Sequence, residues 1–431
     1  MGHLELNGFE VTPGMTMDHG MDPKMFSKFE RVFSGHFHHR STKGNITIKG
    51  ARIAISNGVT FTPGTSGNWN IWSTNTSPWS GSTPDSDGTL TYNYKQYNAS
   101  YGTTTPLGTG NGLLYSYAPT LTFNLTGSVT KTYDGTTSAT LTSANYNVTG
   151  NVAGDTVNYT SPTTGTYNTK DAGTSKTVSV SGMNITSVTS STGKSVYGYQ
   201  VASSNVSGAV GVINKATLTV AANNQSMTYG GTLPTLTETV TGYVNGETSS
   251  VIGGTPTATT SASSTTNAGT ATITSSVTGL TATNYNFVTG SNAILTINKA
   301  NLTITANSTS KTYGQTLTFA GSEFGTSGLV NSDSVTSVTL TSAGAAATAT
   351  VAGSPYTITP SAAVGNGLSN YTIGYSNGTL TVNKANLTIT ANDRTKTYGD
   401  AVTFAGTEFT TLGLVNSDSV TSVTLTSAGA A

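Results

Sequence analysis

Asn301-Leu302-Thr303-Ile304-Thr305 opens a stretch that turns at Lys311-Thr312-Tyr313-Gly314 and closes with Gly378-Thr379-Leu380-Thr381-Val382-Asn383-Lys384-Ala385. The chain then restarts with Asn386-Leu387-Thr388-Ile389-Thr390 and reaches Lys396-Thr397-Tyr398-Gly399. Tyr313 and Tyr398 are 85 positions apart, and 386–431 differs from 301–346 at nine positions. An earlier copy carries Met227-Thr228-Tyr229-Gly230 and ends at Ile297-Asn298-Lys299-Ala300; a more distant one carries Lys131-Thr132-Tyr133-Asp134-Gly135 and ends at Ile213-Asn214-Lys215-Ala216. Self-similarity at a fixed period identifies an array of like units. A period this long exceeds a solenoid coil, so each unit is expected to be a small domain with its own core.

Within one unit, Leu302 and Ile304 alternate with Thr303 and Thr305, the pattern of a strand with one wet face. Asn377-Gly378, between Tyr371-Thr372-Ile373 and Leu380-Thr381-Val382, reads as a tight hairpin turn. The recurrent Tyr133, Tyr229, Tyr313 and Tyr398 are expected to pack at domain corners, each hydroxyl reaching a backbone partner. Junctions such as Lys299-Ala300-Asn301 and Lys384-Ala385-Asn386 leave almost no linker, which predicts stiff coupling between neighbours. The fold class expected is mainly β: tandem small antiparallel β domains, β-sandwich or β-grasp-like, in an elongated array.

Composition narrows the functions. Charged residues make up 8% of the chain and formal net charge is zero, so the repeats offer no basic surface to a phosphate backbone, and nucleic acid is not an expected partner. Hydrophobic residues at 35%, alternating with Thr and Ser, favour half-buried strands over disorder. Without cysteine there is neither a disulfide framework nor a thiolate metal site. No apolar run is long enough for a membrane-spanning helix, and Gly2-His3-Leu4-Glu5-Leu6 has neither the basic start nor the apolar core of a secretion signal.

Near residue 50 the chain changes character. All five histidines, five of seven methionines and twelve of the 36 acidic and basic side chains lie within the first 52 residues. Gly35-His36-Phe37-His38-His39 places two imidazoles at i and i+2, a spacing that can direct both at one divalent metal and is also common on solvated surface. Gly2-His3-Leu4-Glu5-Leu6-Asn7-Gly8, Lys28-Phe29-Glu30-Arg31-Val32-Phe33 and Gly35-His36-Phe37-His38 resemble the SbcD family of metallophosphoesterases, including phage recombination nucleases. That resemblance implies His3, His36 and His38 as ligands of a two-metal, usually manganese, nuclease site. The family's earlier motifs, with their Asp, His and Asn ligands, have no counterpart, and three neutral imidazoles cannot clamp two metals. The segment is therefore expected to be non-catalytic, with no catalytic residue, no cofactor and loose packing up to about Lys49.

Trp69 and Trp72, an odd spacing apart on one predicted strand, are expected to face opposite ways and to serve packing. Asp85-Ser86-Asp87-Gly88 lacks the further ligands of a calcium loop and reads as a solvated turn. The repeats carry no histidine or cysteine, and Glu323, Asp333, Glu408 and Asp418 recur at matching positions without a second titratable partner, so no enzymatic site is expected. A lysine–asparagine crosslink at Lys311 or Lys384 would need a buried acid beside both partners. The segment 386–431 holds no counterpart of 347–385, so strands such as the one expected at 420–425 should have open edges.

Residues from about 51 to 119, with Tyr92-Asn93-Tyr94-Lys95-Gln96-Tyr97-Asn98 and Leu107-Gly108-Thr109-Gly110-Asn111-Gly112-Leu113, resemble the region preceding the repeats of filamentous-haemagglutinin-like secreted proteins. The unit with Lys131-Thr132-Tyr133-Asp134-Gly135 is similar to a YDG domain, and those with Tyr-Gly turns and Asn-Lys-Ala endings to MBG domains of bacterial surface proteins. The organisation expected is a nuclease-like fragment at 1–49, a haemagglutinin-like β segment at 50–120, a YDG-like domain at 121–215, MBG-like domains at 216–300 and 301–385, and a partial MBG-like repeat at 386–431. The resemblance implies a stalk or adhesive module of an extracellular or cell-surface protein, with an unknown protein or glycan as surface ligand. The alternative is an incomplete phage exonuclease subunit.

Overall fold

The computed structural model describes the strands Glu10–Thr12 and Met15–Thr16 and residues 46–431 other than 56, 59, 62–66 and 81–83. The chain is mainly β, built from many small sheets; among the described residues the helical elements are single 3-10 turns such as Ala343–Ala345. It forms two compact units. One comprises Met1–Thr217, Gly242–Val251 and Thr281–Asn286; the other comprises Leu218–Thr241, Ile252–Leu280 and Phe287–Ala431.

The second unit shows why the repeat sequence folds as it does. Ala300–Ala306 alternates buried and exposed at every position, with Leu302, Ile304 and Ala306 inward and Thr303 and Thr305 outward. It is the central strand of a three-stranded sheet, antiparallel to Phe324–Ser327 and parallel to Tyr371–Ser376. Thr309–Thr312, Gly378–Asn383, Tyr356–Asn366 and Ser334–Thr341 make a second sheet in that order, its first pair parallel and the others antiparallel. The repeat before it has the same plan. Glu238–Thr241, Ala216–Ala222 and Tyr285–Thr289 form the three-stranded sheet, and Gln225–Thr228, Ala293–Asn298, Gly269–Ser276 and Thr257–Thr260 the four-stranded one. Ile273, Leu295, Ile297, Leu302, Ile304, Ile358 and Leu380 belong to one apolar cluster, so the two repeats share a continuous core within this unit.

Tandem small β domains are therefore present, and to the expected antiparallel pairing each sheet of the 301–385 repeat adds one parallel pair. The pairing corrects the hairpin reading of Asn377-Gly378. Tyr371–Ser376 and Gly378–Asn383 lie in different sheets, and Asn377 is the crossing point. Glycine is required at 378 because a Cβ would stand 2.6 Å from the Ala306 carbonyl oxygen. Residues 420–425 form no strand: the equivalent Ser334–Thr341 pairs with Tyr356–Asn366, which has no counterpart within 386–431.

In the first unit, a seven-stranded sheet runs in the order Thr156–Tyr159, Ile185–Thr189, Ser195–Tyr197, Tyr94–Gln96, Gly112–Tyr115, Trp69–Ser73, Ile46–Gly50. From Ser195–Tyr197 to Ile46–Gly50 every pairing is parallel. Parallel strands covered on both faces read as continuous apolar runs, and Gly112-Leu113-Leu114-Tyr115 is buried throughout. Trp69 packs on one face with Ile71, Tyr97, Leu113 and Val196, while Trp72 packs on the other with Tyr94 and Leu114. The sheet takes strands from both sides of position 120, and Ile46–Gly50 is a paired strand where loose packing had been expected up to Lys49. The loose packing expected of residues 1–45 lies outside the described residues, apart from the short pair of strands near the start.

Candidate functional site

The feature that recurs through both units is a tyrosine–carboxylate–tyrosine cluster. Tyr97 and Tyr199 both donate to Asp155 Oδ2, at 2.7 and 2.9 Å. Tyr133 donates to Glu247 Oε1 at 2.6 Å and Tyr285 to Oε2 of the same side chain at 2.5 Å. Tyr229 and Tyr371 donate to Asp333 Oδ2 at 2.9 and 2.8 Å. In each cluster the two rings meet edge to face, with centroids 5.1, 5.5 and 5.7 Å apart. Each second tyrosine also accepts a backbone N–H from the valine that opens the acidic loop: Val152 to Tyr199, Val244 to Tyr285, Val330 to Tyr371. The acid, its valine and the second tyrosine thus form a socket inside one repeat. The first tyrosine enters from the preceding segment.

Flanking contacts repeat as well. Asn284 accepts from the Ala172 N–H and donates to Asp171; Asn370 accepts from the Ala268 N–H and donates to Asn267. Asn245, Asn331 and Asn416, each with positive φ, donate to the carbonyls of Gly135, Ser264 and Ala347. The glycine of the Tyr-Gly pair makes this approach possible. At Gly230 a Cβ would fall 2.4 Å from the Val330 side chain, and at Gly314 2.6 Å from that of Val415. The junction between the second MBG domain and the segment 386–431 therefore has the same backbone fit.

Residues 118–206 match the YDG domain, and residues 218–296 and 302–381 match the MBG domain of YGX type. The chain carries one YDG domain and two MBG domains. A 58-residue stretch is also 38% identical to Exonuclease subunit 1 of Enterobacteria phage T4; it covers 14% of this chain and 17% of that protein. The YDG and MBG families are non-enzymatic repeat domains, and their presence indicates a repeat-type surface or adhesin-like module.

Electrostatics fit a structural role for the YDG–MBG joint. The hydroxyls of Tyr133 and Tyr285, then Lys170, hold Glu247 below the usual carboxylate range. Burial, then the hydrogen bond to Glu247, raises Tyr133 and pushes Tyr285 up to about 12. In the buried cluster of the first unit, desolvation and then Asp155 carry Tyr97 and Tyr199 well above the ordinary phenol value, Tyr97 being fully buried. At Glu247 the protons stay on the two phenols and the carboxylate acts as acceptor, the arrangement of a fastening.

The recurrent tyrosines of the YDG and first MBG domains thus reach carboxylates of the following repeat, which corrects the expected backbone partner. Tyr398 is fully exposed. Lys311 is buried, but its ammonium donates to the Gln315 and Ala346 carbonyls, and Lys384 is exposed, so neither meets the crosslink's requirement. Glu323 and Glu408 each accept three successive backbone N–H groups, and both are held low, Glu408 to about 2, with the Ala320 and Ala405 amides the leading causes. Asp85 accepts from Ser73 and Asn75 and so joins the fold. His3, His36 and His38 lie outside the described residues. Among the described residues no group of three metal-ligating side chains occurs, and no helix is long and apolar enough to cross a membrane.

Proposed function

We infer that the chain is a stalk or adhesive segment of a secreted or cell-surface protein of the filamentous-haemagglutinin-like kind, with domain divisions near 216 and 301. The observation supporting this reading is the recurrence of one tyrosine–carboxylate fastening at three successive junctions. A module that only had to fold would gain little from repeating the same intermodule contact, whereas one under load gains a resistance distributed along the chain. The wet faces of Thr and Asn side chains leave room for a protein or glycan ligand without nominating one.

Stretching the full chain by its ends tests the mechanical part. A stalk gives successive rupture events, and Tyr133→Phe and Tyr229→Phe each lower the force of one event. A featureless extension unchanged by both substitutions overturns the reading. The similarity to a phage exonuclease subunit supports a second reading, in which a nuclease-derived segment with His3, His36 and His38 precedes the repeats. Manganese-dependent hydrolysis of duplex DNA by the purified chain would favour it.

A further inference from the structure

The three joints are not interchangeable. At Asp155 and Asp333 both phenols converge on a single oxygen. At the YDG–MBG joint the acid is glutamate. Its extra methylene separates the two oxygens between different donors: Oε2 takes Tyr285, while Oε1 takes Tyr133 and, at 3.1 Å, the Lys170 ammonium. Lys170 also stands over the Tyr133 ring, 5.5 Å from its centroid, so it contacts both halves of the fastening. The surrounding sequence shows what replaces it. Lys170-Asp171-Ala172-Gly173 of the YDG domain corresponds to Thr266-Asn267-Ala268-Gly269 of the first MBG domain, as the shared contacts of Asn284 and Asn370 establish. Where the preceding domain offers lysine, the socket holds Glu247; where it offers threonine, the socket holds Asp333.

We propose that Lys170 and Glu247 form a junction-specific key, which makes the socket of the first MBG domain selective for a preceding domain that presents a phenol together with an ammonium, as the YDG domain does. The order of domains is then written into the joint. An aspartate at 247 could reach the two phenols through one oxygen but would leave the lysine with the Tyr133 hydroxyl as its acceptor and no carboxylate. A threonine at 170 would leave Oε1 of the glutamate with a single donor. Lys170 is nearly half exposed, so its contribution is selectivity more than stability. This proposal rests on the reading that the joints couple neighbouring repeats.

Hydrogen exchange on the full-length chain tests it, with residues 244–247 reporting the keyed joint and residues 330–333 the unkeyed one. Lys170→Thr and Glu247→Asp are each expected to speed exchange at 244–247 by about two- to fivefold, the range for a partly exposed charge pair. The double variant recreates the threonine–aspartate pairing of the other joint and is expected to exchange more slowly than either single. Unchanged exchange at 330–333 in all three shows that the chain remains folded. The key is overturned if Lys170→Thr has no effect, or if the double variant is at least as fast as the faster single. Tyr133→Phe separates the two readings. If it speeds exchange while the key variants fail, the joint couples repeats without selecting them; if it too has no effect, the coupling reading falls.

Discussion

The hydroxyl of Tyr229 lies 2.9 Å from Asp333 Oδ2, although the two residues are 104 positions apart and belong to successive MBG domains. Tyr371 donates to that same oxygen, so one carboxylate is held by a phenol of its own domain and one of its predecessor. A hydrogen bond to a charged acceptor is worth about 1.5–3 kcal/mol. Tyr229→Phe removes the donor while keeping the ring, and should cost about 1–2 kcal/mol in a denaturant titration. Combined with Asp333→Asn, it should show a coupling energy of at least about 0.5 kcal/mol. Strict additivity would mean that the contact carries no energy.

The Glu247 joint carries a pH window with a definite sign. The folded-state carboxylate lies below its ordinary 4.5, so its contribution is present above that value and is lost as pH falls through the lowered one. Tyr285 is raised from 10.0 to about 12, so its contribution is present below 10 and is lost as pH rises toward 12. Exchange protection at 244–247 should therefore form a plateau between these limits and fall on both sides. Glu247→Gln should abolish the acid limb and, by removing one cause of the raised tyrosine values, weaken the alkaline limb.

Much of this fold was legible from residue pattern. The alternation in 300–306 gave its inner and outer faces, and the odd spacing of Trp69 and Trp72 separated them onto two cores. The joints were not legible, for a physical reason. Periodicity aligns Tyr133 with Tyr229 and Glu247 with Asp333, and thereby displays like with like, while the contact runs from each tyrosine to the acid of the next copy. The recurring acid of the Val-Asn-x-acid loop was the available signal, in Val244-Asn245-Gly246-Glu247 and Val330-Asn331-Ser332-Asp333. The crossing at Asn377 was hidden likewise, since an Asn-Gly pair marks a reversal of the chain only when both flanking strands stay in one sheet.

Gly328 lies two residues before the acidic loop of the second MBG domain with φ +103°, and a Cβ there would stand 2.2 Å from the Asn301 carbonyl oxygen. Gly325, three residues earlier on the edge strand, has open space around the same position. Gly328→Ala should therefore destabilise by about 2 kcal/mol or more, from backbone strain and displacement of the central strand. Gly325→Ala should change stability by less than about 1 kcal/mol. Thermal unfolding of the two variants side by side decides the matter, and equal shifts would refute the steric account.

Asp155 is the acid whose loss should propagate furthest, because its two phenols come from different parts of the first unit. Tyr97 follows the parallel strand Tyr94–Gln96, and Tyr199 follows Ser195–Tyr197, the adjoining strand of the seven-stranded sheet. The carboxylate is buried, and Asp155→Ala would leave two phenols without their acceptor, a cost of about 1–3 kcal/mol for the buried Tyr97 hydroxyl and less for the half-buried Tyr199. Asp155→Asn keeps the shape and one oxygen, and should lose less. Trp79 supplies the local reporter, its ring meeting Tyr97 edge-on with centroids 5.4 Å apart and Tyr115 at 5.1 Å. If the acid fastens the two strands, Asp155→Ala shifts tryptophan emission to the red at denaturant concentrations where the MBG domains, which hold no tryptophan, retain their far-ultraviolet dichroism. Emission and dichroism that changed together would show instead that Asp155 serves the stability of the whole chain and not this seam.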